Sequence, residues 1–157
     1  MGAAGEDGGS LTQDDRVFRA VVVWLAAASL GSMAVGLALV VATGTPLFDL
    51  YNATAARAFF GGRPMSGATL DHHRWALSLT GAGTMGWAIM MTFVVLGPFR
   101  RREPWAWWCL GASVLVWLAA DVAASLYWGV RVEVWFAAGA GALILLPLLA
   151  VRDRFRR

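Results

Sequence analysis

Four apolar stretches, each about long enough to cross a bilayer as a helix, fill most of the 157 residues. They run at about 17–43, 74–96, 105–129 and 132–151. Hydrocarbon offers a backbone no hydrogen-bond partner, so such segments satisfy their own N–H and C=O groups by coiling into helices. The expected fold is all-α: an integral membrane, antiparallel four-helix bundle. Residues 1–16 read as a disordered cytoplasmic tail, 17–151 as a single transmembrane domain, and 152–157 as a basic cytoplasmic tail. Composition excludes a soluble counterpart. Hydrophobic residues make up 59% and charged residues 15%, and residues 20–43 carry no polar stripe wide enough for a helix that faces water.

The net charge of +3 would fit nucleic-acid binding if the basic residues were clustered on a soluble face. Every one of them is an arginine, and they border the apolar stretches instead. Arg16 and Arg19 precede the first stretch, Arg100, Arg101 and Arg102 lie between the second and third, and Arg152, Arg154, Arg156 and Arg157 follow the fourth. The other side carries only Arg57, Arg63, Arg74 and Arg131. The positive-inside rule then places both termini in the cytoplasm. With the bundle in a bacterial inner membrane, the expected partners are lipids and not nucleic acid. Trp105, Trp107 and Trp108 at one level, and Trp75, Tyr127, Trp128 and Trp135 at the other, read as headgroup belts. Trp87 and Trp117 fall near mid-membrane and do not fit a belt.

The outer loop at 45–73 is the one sizeable segment outside the bilayer. Leu47, Leu50, Tyr51, Ala55, Ala58 and Phe59 recur in it at helical spacing, opposite Asp49, Asn52 and Arg57. Pro46 suits a first turn and Gly61–Gly62 a stop. A short amphipathic helix over about 47–60, on the outer face of the membrane, is expected.

Asp121 is the most informative single residue, because an ionisable side chain inside a span is costly unless paired, neutral or hydrated. It should face the bundle interior, with Trp117, Ala124, Ser125 and Trp128 sharing its helix face. Depth alignment sets Gly36, Gly81, Gly83, Gly139 and Gly141 around it. Small residues at that level either let backbones approach closely or leave a pocket with Asp121 as polar anchor. The candidate ligand-binding set is Asp121, Trp117, Ser125, Arg74, Trp87, Gly83 and Gly139. Arg74 is the nearest candidate partner for the Asp121 carboxylate, and Ser125, Thr80 or Thr84 are candidate hydrogen-bond donors to it.

Asp71, His72, His73 and Glu133 at the outer mouth are weak metal candidates. Adjacent histidines point apart on a helix, and no Glu-x-x-His or His-x-x-x-His spacing is present, so no metal and no cofactor is expected. Asp71 reads instead as a helix N-cap. A haem bundle would need histidines within its spans, and a small multidrug exchanger a carboxylate in its first span. An intramembrane aspartyl peptidase would need a second carboxylate at the depth of Asp121. The lone Cys109 excludes an internal disulfide and a paired-thiol oxidase.

Residues 102–108 read Arg-Glu-Pro-Trp-Ala-Trp-Trp and are followed by Trp117, Asp121, Ser125 and Gly129, then by Leu145-Leu146-Pro147-Leu148. With the glycine- and tryptophan-containing second helix, this stretch resembles small bacterial four-helix membrane proteins without an assigned activity, loosely DoxX-like. The resemblance covers the second to fourth helices and implies a fold more than a function.

The functional expectation is a non-enzymatic membrane protein that binds a lipid or lipophilic ligand near Asp121 and Trp117. Two alternatives stand beside it. One is an accessory or assembly subunit of a larger membrane complex. The other is a homo-oligomeric proton-coupled carrier or membrane enzyme that uses Asp121.

Overall fold

The computed structural model describes residues 13–155. Five helices follow one another: α1 (Gln13–Val41), α2 (Asp49–Phe60), α3 (Gly67–Val94), α4 (Pro104–Tyr127) and α5 (Arg131–Ala150). A 3-10 turn, Pro46–Phe48, leads into α2, a π turn, Val95–Phe99, prolongs α3, and a 3-10 turn, Arg152–Phe155, follows α5. Residues 13–16, expected in the tail, belong to α1, while 1–12 and 156–157 lie outside the described residues. Four helices, α1, α3 with its extension, α4 and α5, are long and apolar enough to cross a membrane. Between 22% and 28% of each apolar window is buried within the protein. So large an apolar exterior needs lipid against it. This is a multi-pass membrane protein.

The helices pack as two antiparallel pairs, α1 on α3 and α4 on α5. The α4–α5 turn is short because Gly129 takes up φ 73°. The Val130 N–H then reaches the Ser125 carbonyl at 2.9 Å and the Gly129 N–H reaches that of Leu126 at 3.3 Å, closing the last turn of α4. In the other pair, backbone approach sets the fit. A Cβ on Gly81 would lie 2.5 Å from the Gly36 carbonyl oxygen, so only glycine allows the observed spacing.

The two pairs share one core, and it occupies the arginine end. Phe18, Leu25, Val95, Phe99, Leu110, Val114 and Leu148 are among its buried members. Three phenylalanines tie separate segments together there. The rings of Phe18 and Phe99 lie 5.9 Å apart, and those of Phe99 and Phe155 lie 4.8 Å apart. Phe155 falls in the stretch expected as a basic tail, but its ring is buried. Arg102, at φ 61°, is held by an ion pair to Asp15 at 2.8 Å and by the Phe18 ring 4.7 Å beneath its guanidinium.

Pro147 neither ends α5 nor leaves it unsupported, since the helix continues to Ala150. Proline has no N–H, so the Leu143 carbonyl loses its helical donor. The Trp24 indole of α1 supplies one, with Nε1 2.7 Å from that oxygen. At the helix end Trp107 donates to the Leu148 carbonyl at 2.8 Å, which the Val151 N–H also reaches, at 3.4 Å. Trp107 was expected in the headgroup belt, but it is buried because its N–H is needed inside. Trp105, Trp108, Trp128 and Trp135 are exposed, as belt residues are.

The Trp24 contact predicts a non-additive pair of substitutions. Trp24→Phe strands a carbonyl in hydrocarbon and should destabilise by about 1–3 kcal/mol. In a Pro147→Ala background the helix regains its own donor, so the same substitution should cost much less. Thermal unfolding of the four proteins in one detergent measures the coupling. Equal costs in both backgrounds would show that the indole is not replacing the missing donor.

Candidate functional site

Beyond the shared core, toward the end that carries α2, the small buried residues pack within each pair: Gly36 on Gly81, and Gly141 beneath Leu118. The surfaces that the pairs turn toward one another meet in aromatic contacts. Trp87 of α3 stacks on Trp117 of α4, with centroids 6.5 Å apart and planes inclined by 29°. These are the two tryptophans that fitted no belt. One turn further along α4 is Asp121, half-buried, and its Oδ1 accepts the Ser125 hydroxyl at 3.2 Å. Ser125 is itself buried.

Arg74 is not the partner of Asp121. Its guanidinium lies against Gly44 in the turn after α1, where an added Cβ would come 3.0 Å from a terminal nitrogen. Its Nε is enclosed without a hydrogen-bond partner. Thr80 and Thr84 donate to carbonyls of their own helix, those of Ala76 and Thr80. Among the described residues Asp121 makes no ion pair.

The glycine level divides in two. Gly36, Gly81 and Gly141 are packing positions. Gly83 and Gly139 are exposed, and a Cβ at either would meet nothing within 4 Å. No periodicity distinguishes the two sets, because both follow small-residue spacing.

α2 touches both pairs at this end. On the α1–α3 side the Asn52 amide donates to the Thr43 carbonyl at 3.3 Å, and Asn52 Oδ1 lies 3.1 Å from His73 Nε2. The Tyr51 ring stacks on His73 at 6.2 Å. On the other side Phe59 meets Trp128 at 5.7 Å. The face that α2 turns inward holds Tyr51, Asn52, Ala55 and Ala56, while Leu47 and Leu50, expected on the same stripe as Tyr51, are exposed. Burial pushes the Tyr51 phenol up to about 12, and the nearby carboxylates of Glu133 and Asp121 add to the effect. Tyr51, on α2, is thus within electrostatic reach of Glu133 in the first turn of α5 and of Asp121 on α4. Sequence reasoning placed it on the stripe but missed its nearness to these carboxylates, since neither helical period nor charge spacing reports proximity between segments 70 residues apart.

The outer-mouth residues do not converge. Asp71 is exposed in the second turn of α3, whose N-cap is Ser66. His72 packs on Trp75 at 5.6 Å, away from His73. Among the described residues no three His, Cys, Asp or Glu side chains are placed to share a metal ion.

No protein-family model, curated protein or solved structure matches this chain. The likeness to DoxX-like proteins rests on the quoted residues alone, and what stands is the coarser description of a small four-span membrane protein.

Tyr51 offers a direct check on this geometry. Its neutral form is the one the fold favours, so that contribution is present below pH 10 and is lost as pH rises through about 12. At pH 11 the tyrosinate absorbance of the native protein and of Tyr51→Phe should therefore be nearly equal. A difference of one full tyrosinate would mean that the phenol is solvated and that α2 does not cover the site.

Proposed function

We propose that the protein binds a lipophilic ligand with a polar end, between the α1–α3 and α4–α5 pairs and beneath α2. One observation carries this reading. A carboxylate with no ion pair among the described residues sits inside a span, beside a stacked indole pair at the meeting of the two helix pairs. Ionisable groups at such depth are costly and mark functional positions. Trp87 and Trp117 would flank the apolar body of the ligand. Asp121, oriented by Ser125, would accept a hydrogen bond from a hydroxyl or amine. Gly83 and Gly139 leave adjoining surface free of side chains. Tyr51 and Asn52, with His73 behind them, would form the polar rim through which such a molecule enters. The reading involves no covalent chemistry.

Native mass spectrometry of protein extracted gently from its own membranes tests this. Asp121→Asn should lose the co-purifying small molecule while unfolding at nearly the native temperature. The loss of a hydrogen bond to a charged acceptor corresponds to about ten- to a hundredfold in affinity. A ligand held equally by both proteins would remove Asp121 from the site. The open Gly83, Gly86 and Gly139 positions favour a second reading, an accessory subunit docked through close helix contact. Larger polypeptides retained by both proteins would select it.

We also propose, from the distribution of arginine, that the α2 end faces the outside of a bacterial inner membrane. A cysteine replacing exposed Arg63 in a Cys109→Ser background should react with an impermeant maleimide in intact spheroplasts. Labelling only after lysis would invert the orientation.

A further inference from the structure

At the arginine end, far from Asp121, two hollows flank one ridge of α1. The larger, about 920 Å³, is walled by Val22, Ala26, Leu30 and Leu96 and rimmed by Arg19 and the arginines at 100–102. The shallower, about 530 Å³, lies on the other flank beside Ala20 and Trp24. Arg19, Val23 and Ala27 line both, and their spacing of four makes them a single stripe along the helix.

The rim is not fully neutralised. Arg101 pairs with Glu103 at 2.7 Å and Arg102 with Asp15 at 2.8 Å. Arg19 and Arg100 make no ion pair with any described residue. Two cations thus stand at the head of apolar hollows on both sides of a ridge. From Arg19 to Leu30 the helix rises about 16 Å, roughly half the thickness of a hydrocarbon core and so the depth of one leaflet. A free phosphate would use the cations and leave the hollows unexplained, whereas a neutral lipid would do the reverse.

We propose that this is a binding site for an anionic phospholipid, its phosphate on Arg19 and Arg100 and its two acyl chains astride the Val23–Ala27 ridge. Basic recesses at the headgroup level of membrane proteins bind such lipids by this combination of charge and apolar wall. The site is separate from the one proposed around Asp121 and does not depend on it.

The test titrates the full-length protein in neutral detergent with phosphatidylglycerol or phosphatidylcholine of the same acyl chains, counting bound lipids by native mass spectrometry. The expected result is a preference for phosphatidylglycerol that falls by about tenfold or more in Arg19→Gln/Arg100→Gln. Ala27→Trp keeps every charge but fills the ridge between the hollows, and it should lower retention of both lipids. If the double variant does not fold, Ala27→Trp decides alone. Asp121→Asn should bind phosphatidylglycerol like the native protein, which keeps this site distinguishable from the other. Three results would each overturn the proposal: an equal loss in Arg57→Gln/Arg131→Gln, unchanged retention in Ala27→Trp, or displacement of the lipid by inorganic phosphate.

Discussion

A carbonyl oxygen in hydrocarbon must find a donor, and the arrangement of this protein follows from two that α5 cannot satisfy within itself. Pro147 withholds the N–H that Leu143 needs, and at the helix end the Val151 N–H beyond α5 reaches the Leu148 carbonyl only at 3.4 Å. The donors come from Trp24 on α1 and Trp107 on α4, so the requirement of one helix fixes its place against two others. The bond from Trp24 is a direct polar tie between the two helix pairs. Around it, Phe18, Phe99 and Phe155 bring the start of α1, the turn after α3 and the turn after α5 into one cluster.

Ion pairs at the same end are secondary to this. Asp14 with Arg154, Asp15 with Arg102 and Glu103 with Arg101 each have at least one well-exposed partner, and exposed pairs contribute at most about 1 kcal/mol. They tidy the arrangement of charges without determining the fold. The Arg101 guanidinium and the Trp105 indole both bond the Glu103 carboxyl and hold it below the usual carboxylate range. That small effect is present at neutral pH and is lost on acidification through the lowered value.

Four long apolar helices, a helix over α2 and its end at Gly61–Gly62 were legible in the residues, and Ser125 was one of several partners that spacing offered Asp121, because each depends on local pattern. Spacing of four also put Trp117 and Asp121 on one face. What the sequence did not disclose depends on direction across the bundle. Trp107 looks like its exposed neighbours Trp105 and Trp108 until the carbonyl it serves is known. Gly81 and Gly83 are two residues apart on one helix, yet one touches a neighbouring backbone and the other touches nothing. Arg74, the expected partner of Asp121, turns toward Gly44 instead. Phe155 lies in a run of arginines that reads as a solvated tail, and burial overrides that charge only because Phe18 and Phe99 provide a place for the ring.

The concentration of tight packing at one end has a consequence at the other. Where the pairs are joined by large buried side chains and the Trp24–Leu143 bond, the structure has little room to adjust. Toward α2 the packing within each pair relies on glycine, and the surfaces facing across are aromatic or polar. Trp87 on Trp117 is an aromatic contact across the pairs, whereas the Asp121–Ser125 bond lies within α4 and Tyr51 stacks on His73 of α3. The same division holds for charge. The arginine end has carboxylates from its own chain to neutralise part of it, whereas Asp121 and Glu133 make no ion pair among the described residues. One end is built to stay closed, and the other keeps polar groups in an apolar setting at the cost of packing. That asymmetry is the physical argument for the ligand site proposed under α2, and it confines the lipid site proposed at the opposite end to the outer surface of a fixed core.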